Sequence, residues 1–379
     1  MKKKLKFSYK NYFSFYSHPA HGSGFKAWLG VLSANNFAVD LAFLPKVFFI
    51  TLTVIVSSPF RWYEKLRYRK ALSKIKVKEP IFIIGHPRSG TTFLHYLMSR
   101  DPSFVFCNTV QAMVPHLFLS ESRIIQAILS KALPGKRPMD NLKMGAFLPA
   151  EEEFAMASLG AESLISGYYF PRNLLRSFKK HVLFENDDPA LERNWKKNFD
   201  YLLRKLSYSN QEKKLLLKSP GNTGRIPQIL ELFPDARFIY IYRNPFDVFK
   251  SNIHLFNKIL PLSSFQHVKQ DEIEEFVFDG YEALLKKYLF DRKLISSEKL
   301  VEIKYEEFIK DPLAVLKQVY EQLNLDGFEK AKEHIKKELE SYSNYQKNVF
   351  ETDQEIKDKI IERWRFAFDE FNYPAEAKI

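Results

Sequence analysis

The chain has 379 residues, of which 45% are apolar and 27% charged, so it reads as a folded protein with room for one large, elaborated domain. Its single cysteine excludes an intrachain disulfide and, with the absence of any Asn-x-Ser/Thr sequon, fits a reducing cytoplasm. The net charge of +13 favours acidic partners such as a polyanionic nucleotide or an anionic lipid surface, while the lack of an arginine-rich run, zinc spacing or RNP-like motif argues against nucleic acid.

Residues 1–78 have a character of their own. An apolar stretch, Leu41 to Val56, is interrupted by Pro45 and Lys46. Its unbroken part, Val47–Val56, is ten residues long, short of the roughly 20 that span a bilayer. Arg61, Lys65, Arg67, Arg69 and Lys70 follow, with Phe60, Trp62 and Tyr63 among them, a mixture suited to lipid headgroups. The pattern predicts a monotopic or re-entrant hairpin over residues 36–70, bent at Pro45 and Pro59, on the inner face of the membrane. The alternative is a helical arm packed on the rest of the protein, its basic residues in water.

Ile81 to Ile84 read as a strand buried on both faces. Gly85 to Gly90 then form a loop, and Phe93, Leu94, Leu97 and Met98 mark one face of a helix. Strand, glycine-flanked loop and helix make a phosphate cradle, because the first N–H groups of a helix are unpaired and its dipole favours an anion. Gly85-x4-Gly90 matches half of a Walker A loop, but Thr91 stands where the nucleotide-gripping lysine belongs, and Arg88 brings a cation earlier. The later apolar strand, Arg237 to Tyr242, ends in Arg243 where a magnesium-binding Asp is needed. The loop therefore predicts an anion site without the usual ATP hydrolysis chemistry. His86 and His95 flank it as secondary candidates.

Residues 103–211 read as a large helical insertion, the place to build substrate specificity. It carries Glu151-Glu152-Glu153 just after Pro149. Neighbours on a helix are about 100° apart, so at most one or two of these carboxylates can face a site. They are either a dipole-favoured helix start or the source of a proton acceptor. Lys214 to Leu217 predict a strand, with Lys218 at its edge before the Ser219-Pro220-Gly221-Asn222 turn. After Arg243, Pro245 allows a tight turn and Asp247 can open a helix that carries Ser251. Phe265 to Lys299 read as charged helix, Val301 to Lys304 as a strand, Asp311-Pro312 as a helix start, and Asp353 to Phe371 as a final amphipathic helix.

Two of these stretches carry a family resemblance. Pro87-Arg88-Ser89-Gly90-Thr91-Thr92 resembles the 5′-phosphosulfate loop, and Arg243-Asn-Pro-Phe-Asp-Val-Phe-Lys-Ser251 the 3′-phosphate motif, of sulfotransferases that use 3′-phosphoadenosine 5′-phosphosulfate (PAPS). The RPMDN segment at 137–141, Pro149 to Ala155, Lys218-Ser219-Pro220, Phe233 to Arg237 and Tyr305 to Phe308 are similar to the large bacterial branch of that family. The resemblance implies an α/β, P-loop-NTPase-like three-layer fold with a central, mostly parallel sheet, spanning 79–379. It implies that Pro87 to Thr92 hold the 5′-phosphosulfate, that Arg243 and Ser251 hold the 3′-phosphate, and that Arg88 and Lys218 serve the sulfuryl group. The general base is then Glu152 or Glu153, since Asn222 stands where the family often has His. Lys347 falls where a late basic loop covers the 3′-phosphate, although the usual R-K-G triplet is absent. No metal is required, PAPS leaves as 3′,5′-ADP, and the Phe-rich composition leans toward a lipid acceptor. A degenerate nucleotide kinase and a non-catalytic, membrane-bound anion-binding relative are the alternatives.

Overall fold

The computed structural model describes residues 5–13, 18–120, 135, 137, 139–140, 142–185, 188–210, 213–342 and 353–375. Five short strands form its centre: β1 (Ile81–Ile84), β2 (Phe104–Val105), β3 (Lys214–Lys218), β4 (Arg237–Tyr242) and β5 (Leu300–Lys304). They lie in the order β2-β3-β1-β4-β5, and every pairing is parallel. Central β1 is buried along its whole length, which is why it reads as an unbroken apolar run.

Alternate side chains feed two cores. Ile81, Ile83, Leu216, Ile239 and Ile241 pack against the helices Thr91–Met98, Pro312–Gln322 and Phe328–Glu340. Phe82, Ile84, Leu215, Leu217, Phe238 and Tyr240 face the helices Pro189–Ser209, Gln270–Asp291 and Gln354–Glu370. The result is the expected three-layer α/β arrangement. The chain passes from the β3 side of β1 to the β4 side, so β1 stands at a switch point, where a crevice opens outside the strands' carboxyl ends.

The N-terminal region differs from the expected hairpin. Leu44–Leu72 is one helix of 29 residues. Pro45 sits in its first turn, where no N–H is needed, and the helix continues through Pro59. A third core joins Trp28, Val31, Phe43, Ile50 and Val54 of this region to Ala157, Ile165, Tyr169 and Phe265. The arm thus shares a core with the helices beside the candidate site.

Two local details also differ. Strand β2 lies inside the insertion that reads as helical; at two residues it leaves no pattern to detect. The helix Pro245–Ser263 is capped by Asn244, whose side chain accepts from the Phe246 N–H at 2.9 Å, while Asp247 turns back to Arg243.

Candidate active site

Four motifs meet at the carboxyl ends of the central strands: the Gly85–Gly90 loop after β1, Lys218 ending β3, Arg243 after β4 and Tyr305 after β5. Two glycines make the loop possible. Gly85 has φ 145°, and a Cβ there would lie 2.4 Å from the Ile241 carbonyl oxygen; Gly90 has φ 100°, and its Cβ would strike the Tyr305 ring at 2.4 Å. Gly90 caps the Thr91–Met98 helix, so no N-cap side chain takes up the N–H groups of the first turn. Thr223 secures the loop from below: its hydroxyl accepts from the Gly85 N–H at 2.8 Å and donates to the Gly85 carbonyl at 3.1 Å.

Lys218 is the pivot of one wall. Its buried ammonium donates to Thr92 Oγ1 at 3.3 Å and forms an ion pair with Glu151. Burial lowers the ammonium pKa, and the Glu151 carboxylate partly restores it. The three adjacent glutamates have three different surroundings. Glu151 precedes the Glu152–Leu159 helix, and its side chain keeps 25% exposure. Glu152 is buried and accepts from Asn222 Nδ2 at 2.6 Å and from the Lys218 N–H at 3.2 Å. Glu153 points to Arg225 in a two-pronged ion pair at 2.6 and 3.0 Å, and also accepts from Ser163 Oγ and the Leu164 N–H. Burial works to raise its pKa, but Arg225 and these donors outweigh that and hold the carboxyl below its usual range. Glu153 therefore faces away from Lys218 and is poorly suited to take a proton.

The other wall carries the second motif. Arg88, at φ 74°, donates from Nε to Ser251 Oγ at 2.9 Å and pairs with Asp140 at 2.7 Å. Burial tends to raise the Asp140 pKa, but Arg137 and Arg88 hold it below the usual range. Arg243 lies over the Tyr305 ring at 4.4 Å, donates to Asp247 at 2.9 Å, and reaches the Arg88 carbonyl at 3.4 Å. The two sequence motifs are thus in direct contact through Arg88 and Ser251. Burial lowers the pKa of His86 to about 4 and of His95 to about 3, too weakly basic to compete for a proton at neutral pH. Lys347 lies outside the described residues. A small, mostly apolar pocket beside the loop is lined by His86, Pro87, Leu164, Tyr168, Asn252 and Phe256.

This arrangement can be compared with known proteins. The model of the sulfotransferase family matches residues 80–330. The chain belongs to that family. It is also 28% identical over 356 residues to the omega-hydroxy-beta-dihydromenaquinone-9 sulfotransferase Stf3 of Mycobacterium bovis and of Mycobacterium tuberculosis, covering 93% of this chain and 90% of the relative. Two crystal structures share the fold. Sulfotransferase STF9 from Mycobacterium avium superposes with a TM-score of 0.65 at 16% identity, over 94% of this chain and 98% of that one. STF1 from M. tuberculosis superposes with 0.63 at 17% identity, over 88% and 94%.

Within this sulfotransferase, sequence reasoning missed Asp140, Arg225 and Tyr305 as individual participants. Each lies in or beside a segment singled out by resemblance, but its partner is distant in the chain: Arg88, Glu153 and Arg243 respectively. Glu152 gives a pH prediction. Burial raises its pKa to about 7, above the ordinary 4.5. A carboxyl raised on folding favours the folded state below pH 4.5, and that advantage is lost as pH rises through about 7. Glu152→Gln should therefore melt close to the native chain at pH 5 but be more stable at pH 8, by roughly 1–3 kcal/mol. Melting curves that keep the same separation at both pH values would refute this.

Proposed function

We propose that this sulfotransferase moves the sulfuryl group from PAPS to a hydroxyl or amine of a lipid or amphipathic acceptor, working at a membrane surface. The observation that carries the reading is the chain of contacts from Thr92, in the anion loop, through Lys218 to Glu151. It joins an anion cradle, a buried cation and a part-exposed carboxylate. The lipid clause is supported by the relative whose name gives a hydroxylated menaquinone derivative as its acceptor.

The N–H groups of Gly90, Thr91 and Thr92 would hold the 5′-phosphate, with Pro87 and Ser89 shaping the loop. Arg243 and Ser251 would hold the 3′-phosphate, which ATP lacks, and Arg can bind two of its oxygens at once. Arg88 and Lys218 would face the bond that breaks. The acceptor oxygen or nitrogen attacks sulfur, the bond from sulfur to the bridging oxygen breaks, and its electron pair leaves with 3′,5′-ADP. Proton removal, first sought at Glu152 or Glu153, is assigned in this reading to Glu151. It is the most exposed of the three carboxylates and the one that touches the Lys218 ammonium. Glu152 keeps Asn222 and the Lys218 backbone in place.

A thermal-shift titration tests the donor. At 100 times its Kd, 3′,5′-ADP should stabilise the chain by about 2.7 kcal/mol, while ATP–magnesium should do far less. Arg243→Ala should weaken 3′,5′-ADP by roughly 10–100-fold and leave the small ATP effect unchanged. A shift with ATP–magnesium alone would favour a nucleotide kinase. Binding of 3′,5′-ADP with no transfer to any acceptor would favour a non-catalytic relative.

A further inference from the structure

The helix Leu44–Leu72 has two opposite faces of different kinds. On the inner face, Lys46, Ile50, Val54, Arg61 and Glu64 are buried. Its polar members are fastened to the rest of the molecule. Lys46 donates to the carbonyls of Asn11 and Leu262 at 3.0 Å each, and Arg61 to that of His21 at 2.8 Å. Glu64 pairs with the buried Lys205 at 2.6 Å and accepts from the Ser120 N–H. On the outer face, Phe48, Leu52, Ile55, Val56 and Phe60 are 47–71% exposed. Positions 48, 52 and 56 trail the buried 46, 50 and 54 by two residues, about 200° around the helix, so the faces are opposed.

The outer face carries no acid, because the one acidic residue of the helix, Glu64, points inward. Its stripe ends in exposed Trp62 and Tyr63 and is continued by exposed Arg67 and Lys70, with exposed Lys65 and Arg69 on the sides of the same basic end. Aromatic rings at the apolar edge and cations beyond it match the depth profile of a bilayer with anionic headgroups. By length and composition alone the helix could cross a membrane. Crossing, however, would carry at least one of Lys46, Arg61 and Glu64 into hydrocarbon and take all three from their partners, at a high cost. It would also dismantle the third core.

We propose that this face docks in the plane of an anionic bilayer, with the apolar stripe in one leaflet and the basic end at the headgroups, and that the helix does not span. The inference gives a geometry to the membrane clause of the function proposed above. The Glu152–Leu159 helix, preceded by Glu151, packs on the Pro19–Gly22 turn, which in turn packs on the docking helix. The candidate proton acceptor therefore lies one layer from the lipid.

The test uses the full chain with phosphatidylcholine vesicles, with and without phosphatidylglycerol. The native chain should float with the anionic vesicles and be released by salt. Phe48→Glu and Leu52→Glu should each weaken binding about tenfold or more. Arg67→Glu and Lys70→Glu should each weaken it about fivefold or more. Native Cys107 is buried, so cysteines introduced as Ala42→Cys and Lys74→Cys report the two ends of the helix. An impermeant maleimide added outside should label both ends on bound vesicles. Labelling of only one end before detergent is added would show a span and overturn the proposal. Failure of the native chain to bind, or a soluble dimer dissolved by Leu52→Glu, would also overturn it. A 3′,5′-ADP thermal shift in every variant controls for folding. Vesicle binding without that shift in the native chain would leave the docking geometry standing and sink the nucleotide reading alone.

Discussion

Replacing Lys218 with methionine should lower sulfuryl transfer by about 10²–10³ while leaving 3′,5′-ADP binding nearly unchanged. Lys218 ends β3 at the floor of the crevice, its side chain 2% exposed, between Thr92 of the anion loop and Glu151. A charge held there needs little water reorganisation, so, even paired with Glu151, it is placed to offset the negative charge that grows as the bond to sulfur breaks. The product 3′,5′-ADP has no sulfuryl group, so the part of the site served by Lys218 contributes little to its affinity. The prediction is thus a split between rate and product binding. It is measured by the rate of 3′,5′-ADP formation from PAPS with a hydroxylated quinone acceptor, alongside a thermal-shift titration with 3′,5′-ADP. A fall of equal size in both would make Lys218 a general binding residue. An unchanged rate would remove it from the chemistry.

The sheet and the nucleotide end of the site were readable because they rest on local patterns. Ile81–Ile84 and Arg237–Tyr242 are unbroken apolar runs, since both faces of each strand are covered. The Gly85–Gly90 loop needs glycine where φ is positive and where Tyr305 and Ile241 come close, so its spacing survives as a motif. What stayed hidden depends on contacts across the chain. Pairing of Arg88 with Asp140 spans 52 positions, and that of Arg225 with Glu153 spans 72. The roles of the three glutamates could not be separated by position alone. Successive side chains leave the helix in different directions, and only the packed partners decide which one meets Lys218. The arm illustrates the same limit. Pro45 and Pro59 suggest bends, but Pro45 sits in the first turn and the buried inner face carries one helix past Pro59.

Removing the guanidinium of Arg225 should cost about 3–5 kcal/mol of stability, whatever its effect on turnover. Arg225 and Glu153 are 0% and 3% exposed, so Arg225→Met strands a buried carboxylate. Its loss also frees the His181 carbonyl, which accepts from Arg225 Nε and Nη2 at 3.0 and 2.8 Å, and removes the cation from the Trp195 ring, 5.0 Å away. Chemical denaturation of the single variant should show a large fall in midpoint. The double variant Arg225→Met/Glu153→Leu should recover much of it, because the pair is then replaced by apolar side chains and neither charge is left alone. The same cycle tests the assignment of Glu153. As an anchor, its loss in Glu153→Leu acts through stability and is compensated by the loss of Arg225; as a proton acceptor, its loss would abolish turnover in Glu153→Leu and would leave turnover abolished in the double variant even where stability recovers. Glu152 connects this anchor to the chemistry, since Arg225 Nη1 reaches Asn222 Oδ1 at 3.4 Å and Asn222 donates to Glu152. A weakened anchor should therefore also disturb the wall that holds Lys218, so the double variant should regain stability more completely than rate.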